Sequence, residues 1–169
     1  MSSNDRPVYS PSSHELPNIV GIDVGYGNTK VYGTAIGDRN REQSFHFPSL
    51  AVRVAGMTEK NPIGAKYQVT RVWSDGQEYF VGTDAPRLVQ RPLRSSLERT
   101  YPLTPEYKAL VLGSLYRAGL QNVDVLALGL PAQFSQDTEL IEQMQARFLG
   151  DHDCNVSRVS VHKVGSIKK

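Results

Sequence analysis

A glycine-rich turn between two hydrophobic runs restricts the fold of this chain more than any other part of its sequence. Residues 19–32 read Ile-Val-Gly-Ile-Asp-Val-Gly-Tyr-Gly-Asn-Thr-Lys-Val-Tyr. The apolar residues before Asp23 predict a strand that is covered on both faces of a sheet, and Val31 continues a second strand after the turn. Glycines in such a turn permit positive φ angles and allow backbone N–H groups to face a bound anion. The segment therefore predicts a hairpin that binds phosphate.

The side chains of this turn suit a magnesium–phosphate site. The predicted phosphate contacts are Gly25, Tyr26, Gly27, Asn28, Thr29 and Lys30. Lys30 is a flexible point charge that can reach a phosphate oxygen. Asp23 lies at the carboxyl end of the first strand, where it can hold hydrated Mg²⁺ through water, because this ion keeps several waters and takes only one or two carboxylates. The same pattern also fits an ordinary hairpin turn, so the turn alone leaves both interpretations open.

Two other glycine-rich phosphate motifs do not match the segment. A Walker loop places Ser or Thr after its lysine and opens a helix, whereas Lys30 is followed by Val31 and Tyr32, which continue a strand. The dinucleotide-binding pattern GxGxxG requires glycine at the position of Lys30. Neither a Walker ATPase nor a Rossmann dehydrogenase is therefore predicted.

Hydrophobic periodicity and turn residues predict an alternation of strands and helices along the rest of the chain. Thr104 is the predicted amino-terminal cap of one helix, which ends at Gly119, and Ser135 is the predicted cap of a second helix, which ends at Gly150. The predicted strands are residues 19–23, 30–36, 43–47, 67–73, 78–81, 123–128 and 156–164, with turns at 37–40 and 74–77. Residues 50–66 are poorly patterned and predict a surface excursion.

Five short motifs follow one another in a definite order. They are Asp23–Lys30, Phe47-Pro48-Ser49, Glu78–Gly82, Tyr107–Leu110 and Gly129-Leu130-Pro131. The first resembles the D-x-G-x-x-x-x-K phosphate motif of the superfamily that contains actin, sugar kinases and heat-shock chaperone ATPases. The series as a whole resembles the ParM/StbA family of bacterial actin-like plasmid segregation proteins, and within it the actin-like proteins of PRTRC plasmid systems.

This resemblance implies an α/β fold, an actin-like ATPase domain with a ribonuclease-H-like core. It implies a mixed sheet with a three-stranded meander, an extra hairpin and helices packed on the sheet. The implied ligands are ATP or GTP with Mg²⁺. The implied partners are further copies of the protein in a filament and a DNA-binding adaptor that links the filament to plasmid DNA.

The resemblance also sets the expected extent of the domain. We expect a disordered leader over residues 1–17, an actin-like amino-terminal domain over residues 18–164 and a short tail over residues 165–169. By the same resemblance we expect the second actin-like domain of the family, with its second phosphate loop and adenosine pocket, to be absent, and we expect no residue of this chain to orient the attacking water. We therefore assign no catalytic residue and expect a weak or inactive ATPase.

Two other classes of function remain open for a chain of this kind. One is a non-catalytic interaction module of the same fold, and the other is an enzyme of the superfamily, such as half of a sugar or acetate kinase. A ribonuclease-H-like nuclease is less favoured, because it needs several carboxylates around two metal ions and Asp23 has no evident companion in Asp124 or Glu78.

Composition limits the chain to one domain without a strong charge. It has 169 residues, of which 39% are hydrophobic, and a formal net charge of +2. That charge does not favour direct binding to DNA. No apolar run approaches the roughly 20 residues that cross a bilayer, and Cys154, as the single cysteine, excludes an internal disulfide. These features predict a soluble protein of the cytoplasm with no membrane partner.

Overall fold

A computed structural model of the chain describes residues 17–34, 43–57, 66–90, 98–153 and 158–168. The predicted leader lies outside this part of the chain apart from Pro17, as do the predicted turn at residues 37–40 and Cys154. The described residues form eleven strands and two α-helices. These are β1 (Ile19–Val24), β2 (Asn28–Gly33), β3 (Gln43–Pro48), β4 (Val52–Arg53), β5 (Thr70–Ser74), β6 (Gln77–Val81), α1 (Pro105–Arg117), β7 (Asn122–Val123), β8 (Val125–Leu130), α2 (Thr138–Phe148), β9 (Gly150–Asp153), β10 (Arg158–Val161) and β11 (Val164–Lys168).

The main sheet has five strands in the order β11-β8-β1-β2-β3. β1, β2 and β3 pair antiparallel as the predicted meander, while β8 pairs parallel with β1 and β11 pairs parallel with β8. The mixed α/β fold is thus confirmed. Because β1 and β8 run in the same direction, their carboxyl ends lie side by side at one edge of the sheet, and the predicted phosphate turn begins there.

One face of this sheet carries the core. Val20, Ile22 and Val24 alternate along β1 on the buried face, where Leu126 and Leu128 of β8 join them. Both helices pack on this face, because their buried residues belong to the same hydrophobic cluster. Burial of this apolar surface is the main stabilisation of the fold.

The other face of the main sheet is open in the described part of the chain. Ile19, Tyr32 and Ile167 are exposed there to 40%, 48% and 52%. Small residues lie between them, and an open depression of about 610 Å³ follows the face from Ile167 to His46. The prediction that the first strand is covered on both faces is therefore wrong for these residues, because both helices pack on the same side.

Helix α1 begins as predicted, whereas α2 begins later than predicted. The Thr104 hydroxyl accepts the backbone N–H of Tyr107 at 3.2 Å, and Gly119, at φ 71°, follows the last turn. In α2 the cap is Asp137, whose Oδ1 accepts the N–H of Leu140 at 3.1 Å. Ser135 instead bonds the carbonyl of Ala132 inside a short 3-10 turn, so its prediction as the cap is wrong.

The predicted extra hairpin is confirmed and gains a third strand. β5 and β6 are joined by Asp75 and Gly76, both at positive φ (50° and 76°), as a two-residue hairpin turn requires. β4 pairs with β6 on the other side, inside the segment for which only a surface excursion is predicted. Lys108 of α1 and Arg147 of α2 both form ion pairs with Asp75, which ties this turn to the two helices.

The end of the chain differs from its prediction. The single strand predicted over residues 156–164 is two strands, β10 in a small sheet with β7 and β9, and β11 in the main sheet. His162 and Lys163 connect them: the N–H of His162 bonds Val123, and the Lys163 carbonyl accepts from Leu126. Residues 165–168 therefore continue a strand of the domain and are not a tail.

Candidate functional site

Asp23 and Lys30 face each other across the β1–β2 hairpin. They are direct partners in the antiparallel register, on the open face of the main sheet. The Lys30 side chain is exposed, whereas Oδ1 of Asp23 is buried. A carboxylate and an ammonium group thus lie side by side where the first strand ends, with the cation free to reach outward.

The turn between them uses Gly25 for close packing. The Gly25 N–H donates to the carbonyls of Asp23 (3.1 Å) and Asn28 (3.0 Å), and a Cβ at this position would lie 2.9 Å from the Asn28 oxygen. Neither Gly25 nor Gly27 uses the positive φ angle that glycine permits. The Gly25 N–H is also engaged within the turn and does not face outward towards an anion.

The remaining predicted contacts divide between the surface and the core. Tyr26, Asn28 and Lys30 are exposed. Thr29 is fully buried, and its hydroxyl forms a hydrogen bond with the Ser49 hydroxyl at 2.9 Å. Since strand residues alternate between faces, Thr29 points into the core while its neighbours point outward. Its side chain links β2 to the end of β3, and only its backbone can face a ligand.

Gly129, at the end of β8, lies directly against Asp23. A Cβ on Gly129 would be 3.1 Å from Asp23 Oδ1 and 3.3 Å from Asp23 Cβ. The absence of a side chain thus leaves room for the carboxylate between the two parallel strands. The sequence indicates Gly129 only as part of a turn motif, although its position at the end of a strand parallel to β1 is a signal that it adjoins Asp23.

A small aromatic cavity lies on the helix side of the same sheet edge. Its volume is about 30 Å³, and its walls combine the turn (Gly25, Tyr26), the end of β8 (Gly129, Leu130) and the rings of Tyr101, Tyr107 and Phe134. Tyr107 is 2% exposed, and among the described residues its hydroxyl has no hydrogen-bond partner. Burial raises the pKa of this hydroxyl, and the nearby Tyr101 and Asp23 raise it further. Sequence patterning predicts Tyr107 only as a core residue of α1.

The residues around Asp23 fit a hydrated magnesium ion bound together with phosphate. Within the described ranges, no three His, Cys, Asp or Glu side chains come together as a metal cluster. A protein site with a single carboxylate suits Mg²⁺, which takes its other ligands from water and substrate phosphate. The pocket that Gly129 leaves beside Asp23, and the Lys30 ammonium opposite, are consistent with that pair. In the part of the chain that the structure describes, no helix is long and apolar enough to cross a membrane.

Solved structures with the same fold include ParM and AlfA proteins. The apo ParM protein of psk41 is 16% identical, with a TM-score of 0.65, over 89% of this chain and 49% of its own. The AlfA filament from Bacillus subtilis plasmid pLS32 is 19% identical, with a TM-score of 0.61, over 89% of this chain and 55% of its own. An AlfA filament bound to AMPPNP is also 19% identical, with a TM-score of 0.59, over 91% of this chain and 55% of its own.

These similarities establish the fold, and a family model establishes the family. The chain spans about half the length of the three solved relatives. No curated protein sequence matches it significantly. The model of the actin-like proteins' N-terminal domain matches residues 21–169, which is most of the chain. The chain therefore belongs to the actin-like proteins and carries the N-terminal domain of that family.

Proposed function

We propose that this chain provides one wall of the nucleotide site in an actin-like, filament-forming plasmid segregation protein. The observation that carries the proposal is the pairing of Asp23 with Lys30 across the β1–β2 hairpin, on the open face and beside Gly129. This arrangement places an anion and a cation at one sheet edge, where Gly129 adds no side chain beside the carboxylate. A magnesium–nucleotide complex carries the complementary pair of charges.

In this proposal each residue of the site has a distinct role. Lys30 binds a phosphate oxygen of ATP or GTP, because its exposed ammonium group is a mobile point charge. Asp23 orients the waters of Mg²⁺, which neutralises phosphate charge when it is bound. Tyr26, Gly27 and Asn28 form the exposed end of the turn, and Thr29 holds the hairpin to β3 through Ser49.

A single wall makes a weak nucleotide site. Phosphoryl transfer depends on positioning and on electrostatic stabilisation of the phosphates from several sides. This chain matches only 49–55% of the length of the three solved relatives, so in this proposal the rest of the parent protein supplies the other side of the site. For the 169-residue chain by itself we expect weak nucleotide binding and little or no hydrolysis.

The proposed partners follow from the same assignment. AlfA forms a filament in two solved structures, one of them bound to AMPPNP, which supports self-association of the parent protein into filaments. A DNA-binding adaptor would join such a filament to plasmid DNA, since the net charge of +2 does not favour direct contact with DNA. The corresponding location is the cytoplasm. Half of a sugar or acetate kinase is less favoured, because the similar structures named above are segregation proteins.

One observation favours a second candidate function, a non-catalytic interaction module of the same fold. The Gly25 N–H is engaged within the turn, and the Thr29 hydroxyl is engaged by Ser49. Two of the predicted phosphate donors are thus satisfied internally. If the turn is only structural, the domain would still offer its surfaces for assembly.

Nuclear magnetic resonance titration of the chain distinguishes the two functions, because it detects weak binding residue by residue. We expect millimolar ATP with Mg²⁺ to shift the amide signals of residues 25–30, and expect Lys30→Met and Asp23→Asn to reduce those shifts. Asp124→Asn is the matched control, since Asp124 lies at the opposite end of β8, where it accepts the Asn18 N–H at 2.7 Å. Absence of shifts in residues 25–30, or equal shifts in all variants, would contradict the nucleotide proposal.

A further inference from the structure

The charged residues of the proposed site belong to a row that crosses the open face of the main sheet. In the paired registers Asp23 lies opposite Lys30, and Lys30 lies opposite His46 of β3. All three side chains line the same open depression. His46 is exposed and extends the row to the outer strand of the sheet. The proposed function gives roles to Asp23 and Lys30 but none to His46.

The pleat of β3 determines the face on which His46 lies. Its neighbours Phe45 and Phe47 both pack in the hydrophobic core. Because successive side chains of a strand point to opposite faces, His46 points to the open face. On the core side, the hydrogen bond of 2.9 Å between the Thr29 and Ser49 hydroxyls holds β2 to the end of β3. The register that places His46 beside Lys30 is therefore specified by buried contacts.

His46 and Lys30 together form a pair of adjacent donors. The Cβ atoms of residues directly opposite each other in an antiparallel pair lie about 4.5–5.5 Å apart. An ammonium group has only donors, and an imidazole has at least one N–H donor in each of its protonation states. Two such groups side by side suit a ligand that is rich in acceptors. Phosphate oxygens are acceptors of this kind.

The length of the row indicates how many phosphates it suits. Neighbouring strands lie about 4.7–4.9 Å apart, so Asp23 and His46, two strands apart, are separated by roughly 10 Å across the sheet. A single phosphate held beside Asp23 falls short of His46. A chain of two or three phosphates is long enough to cross the row from one residue to the other.

We propose that His46 is a further phosphate-binding residue, and that its imidazole N–H donates to a polyphosphate that also contacts Lys30. The ligand class is then a nucleoside di- or triphosphate, and His46 makes the site select for the length of the phosphate chain. That the ligand is a nucleotide rests on the proposed function. The contact between His46 and a polyphosphate does not.

The ring signals of His46 test this contact without any substitution. We expect inorganic triphosphate with Mg²⁺ to shift the side-chain ¹⁵N signals of His46, and expect inorganic phosphate at the same concentration to leave them almost unchanged. His162 is the matched control, because it is also exposed but connects β10 to β11, where its N–H bonds Val123. Its signals should not shift. Unchanged His46 signals in triphosphate, or equal shifts of both histidines, overturn the proposal.

A substitution of His46 tests the selection for chain length. His46→Val suits an exposed strand and removes the donor. It should raise the ATP concentration for half-maximal amide shifts of residues 25–30 by about three- to tenfold, because a hydrogen bond to a charged group is lost. The response to AMP should stay unchanged. His46→Lys should restore most of the ATP response, and His162→Val should have no effect. An unaltered ATP response in His46→Val, or an equal loss with AMP, overturns the role of His46.

These measurements separate the role of His46 from the proposed function. If His46 responds to inorganic triphosphate while the chain does not respond to Mg²⁺ with ATP, the proposed function fails and the polyphosphate contact stands. If Lys30→Met weakens ATP binding and His46→Val does not, the nucleotide site stands and the role of His46 fails.

Discussion

Gly129→Ala is the substitution that most directly probes the geometry around Asp23. The added methyl carbon would lie 3.1 Å from Asp23 Oδ1, 3.3 Å from its Cβ and 3.4 Å from its Cα. Carbon atoms are in optimal contact at about 3.5–4.0 Å, so the carboxylate must move by a few tenths of an ångström. It can do so by rotating off its preferred angle, because its other side faces the open depression.

The expected magnitude combines two opposing terms. Rotating a side chain by roughly 30° from its rotamer costs about 0.5–1.5 kcal/mol. Alanine in place of glycine inside a strand stabilises by about 0.5–1 kcal/mol. The free energy of unfolding should therefore change little. The displaced carboxylate should weaken magnesium–nucleotide binding by roughly two- to tenfold, at about 1.4 kcal/mol per tenfold.

Gly165→Ala is the matched control, because a Cβ at this position of β11 meets nothing within 4 Å. Gly165→Ala should gain only the stabilisation that alanine gives over glycine inside a strand. Its urea midpoint should rise by about 0.25–0.5 M, if the free energy of unfolding falls by about 2 kcal/mol per molar of urea. Amide shifts induced by Mg²⁺ and ATP should weaken in Gly129→Ala and stay unchanged in Gly165→Ala. Equal gains in stability with unchanged binding in both variants would refute the reasoning.

Three further variants test the helix contact, a buried histidine and the inner side of the hairpin. Gly113→Ala should lower the free energy of unfolding by about 1–2 kcal/mol, because the new Cβ would lie 2.2 Å from Cγ2 of Val81. The cost of this overpacking exceeds the gain in helix propensity. A raised urea midpoint would contradict the close contact of Gly113 with Val81. Burial lowers the pKa of His152, so the unfolded chain binds the proton more readily, and stability should fall as the pH drops below about 6.5. Over the same pH range the urea midpoint of His152→Gln should fall less than that of the wild type, and an equal fall would contradict the prediction. Thr29→Val removes the hydrogen bond to Ser49 and should cost about 0.5–1.5 kcal/mol in calorimetric unfolding while nucleotide shifts persist; lost shifts at unchanged stability would instead indicate a phosphate contact.

Much of the fold is predictable from local sequence, because several elements carry their own signals. Asp75 and Gly76 specify a two-residue hairpin turn, and the chain adopts the positive φ angles that this turn needs. Thr104 followed by Pro105 marks the start of α1, and the observed helix begins at that proline. In each case the signal and the structure lie within a few residues of each other.

The candidate site is predictable in its residues but not in its contacts. The pattern from Asp23 to Lys30 identifies the turn, yet it does not show that Thr29 points inward or that Gly25 is needed for space rather than for positive φ. The direction of Thr29 depends on which face of the sheet is buried, and the close approach of Gly25 to the Asn28 carbonyl depends on the conformation of the turn. The contacts of Asp23 with Gly129 join residues more than a hundred positions apart, and only the parallel pairing of β1 with β8 brings them together.

The sequence of β11 does not by itself predict a strand. A hydrophobic pattern reports what covers a strand, and β11 has Val164 on the core face but exposed Ser166 and Ile167 further along. Its place is set by parallel pairing with β8, in which Ile167 lies beside Gly129. Residues 165–168, which the sequence predicts as a tail, thus pair with β8. This pairing keeps Gly129 against Asp23. The end of the chain is part of the wall of the proposed nucleotide site, and variants that weaken β11 should disturb that site before they unfold the core.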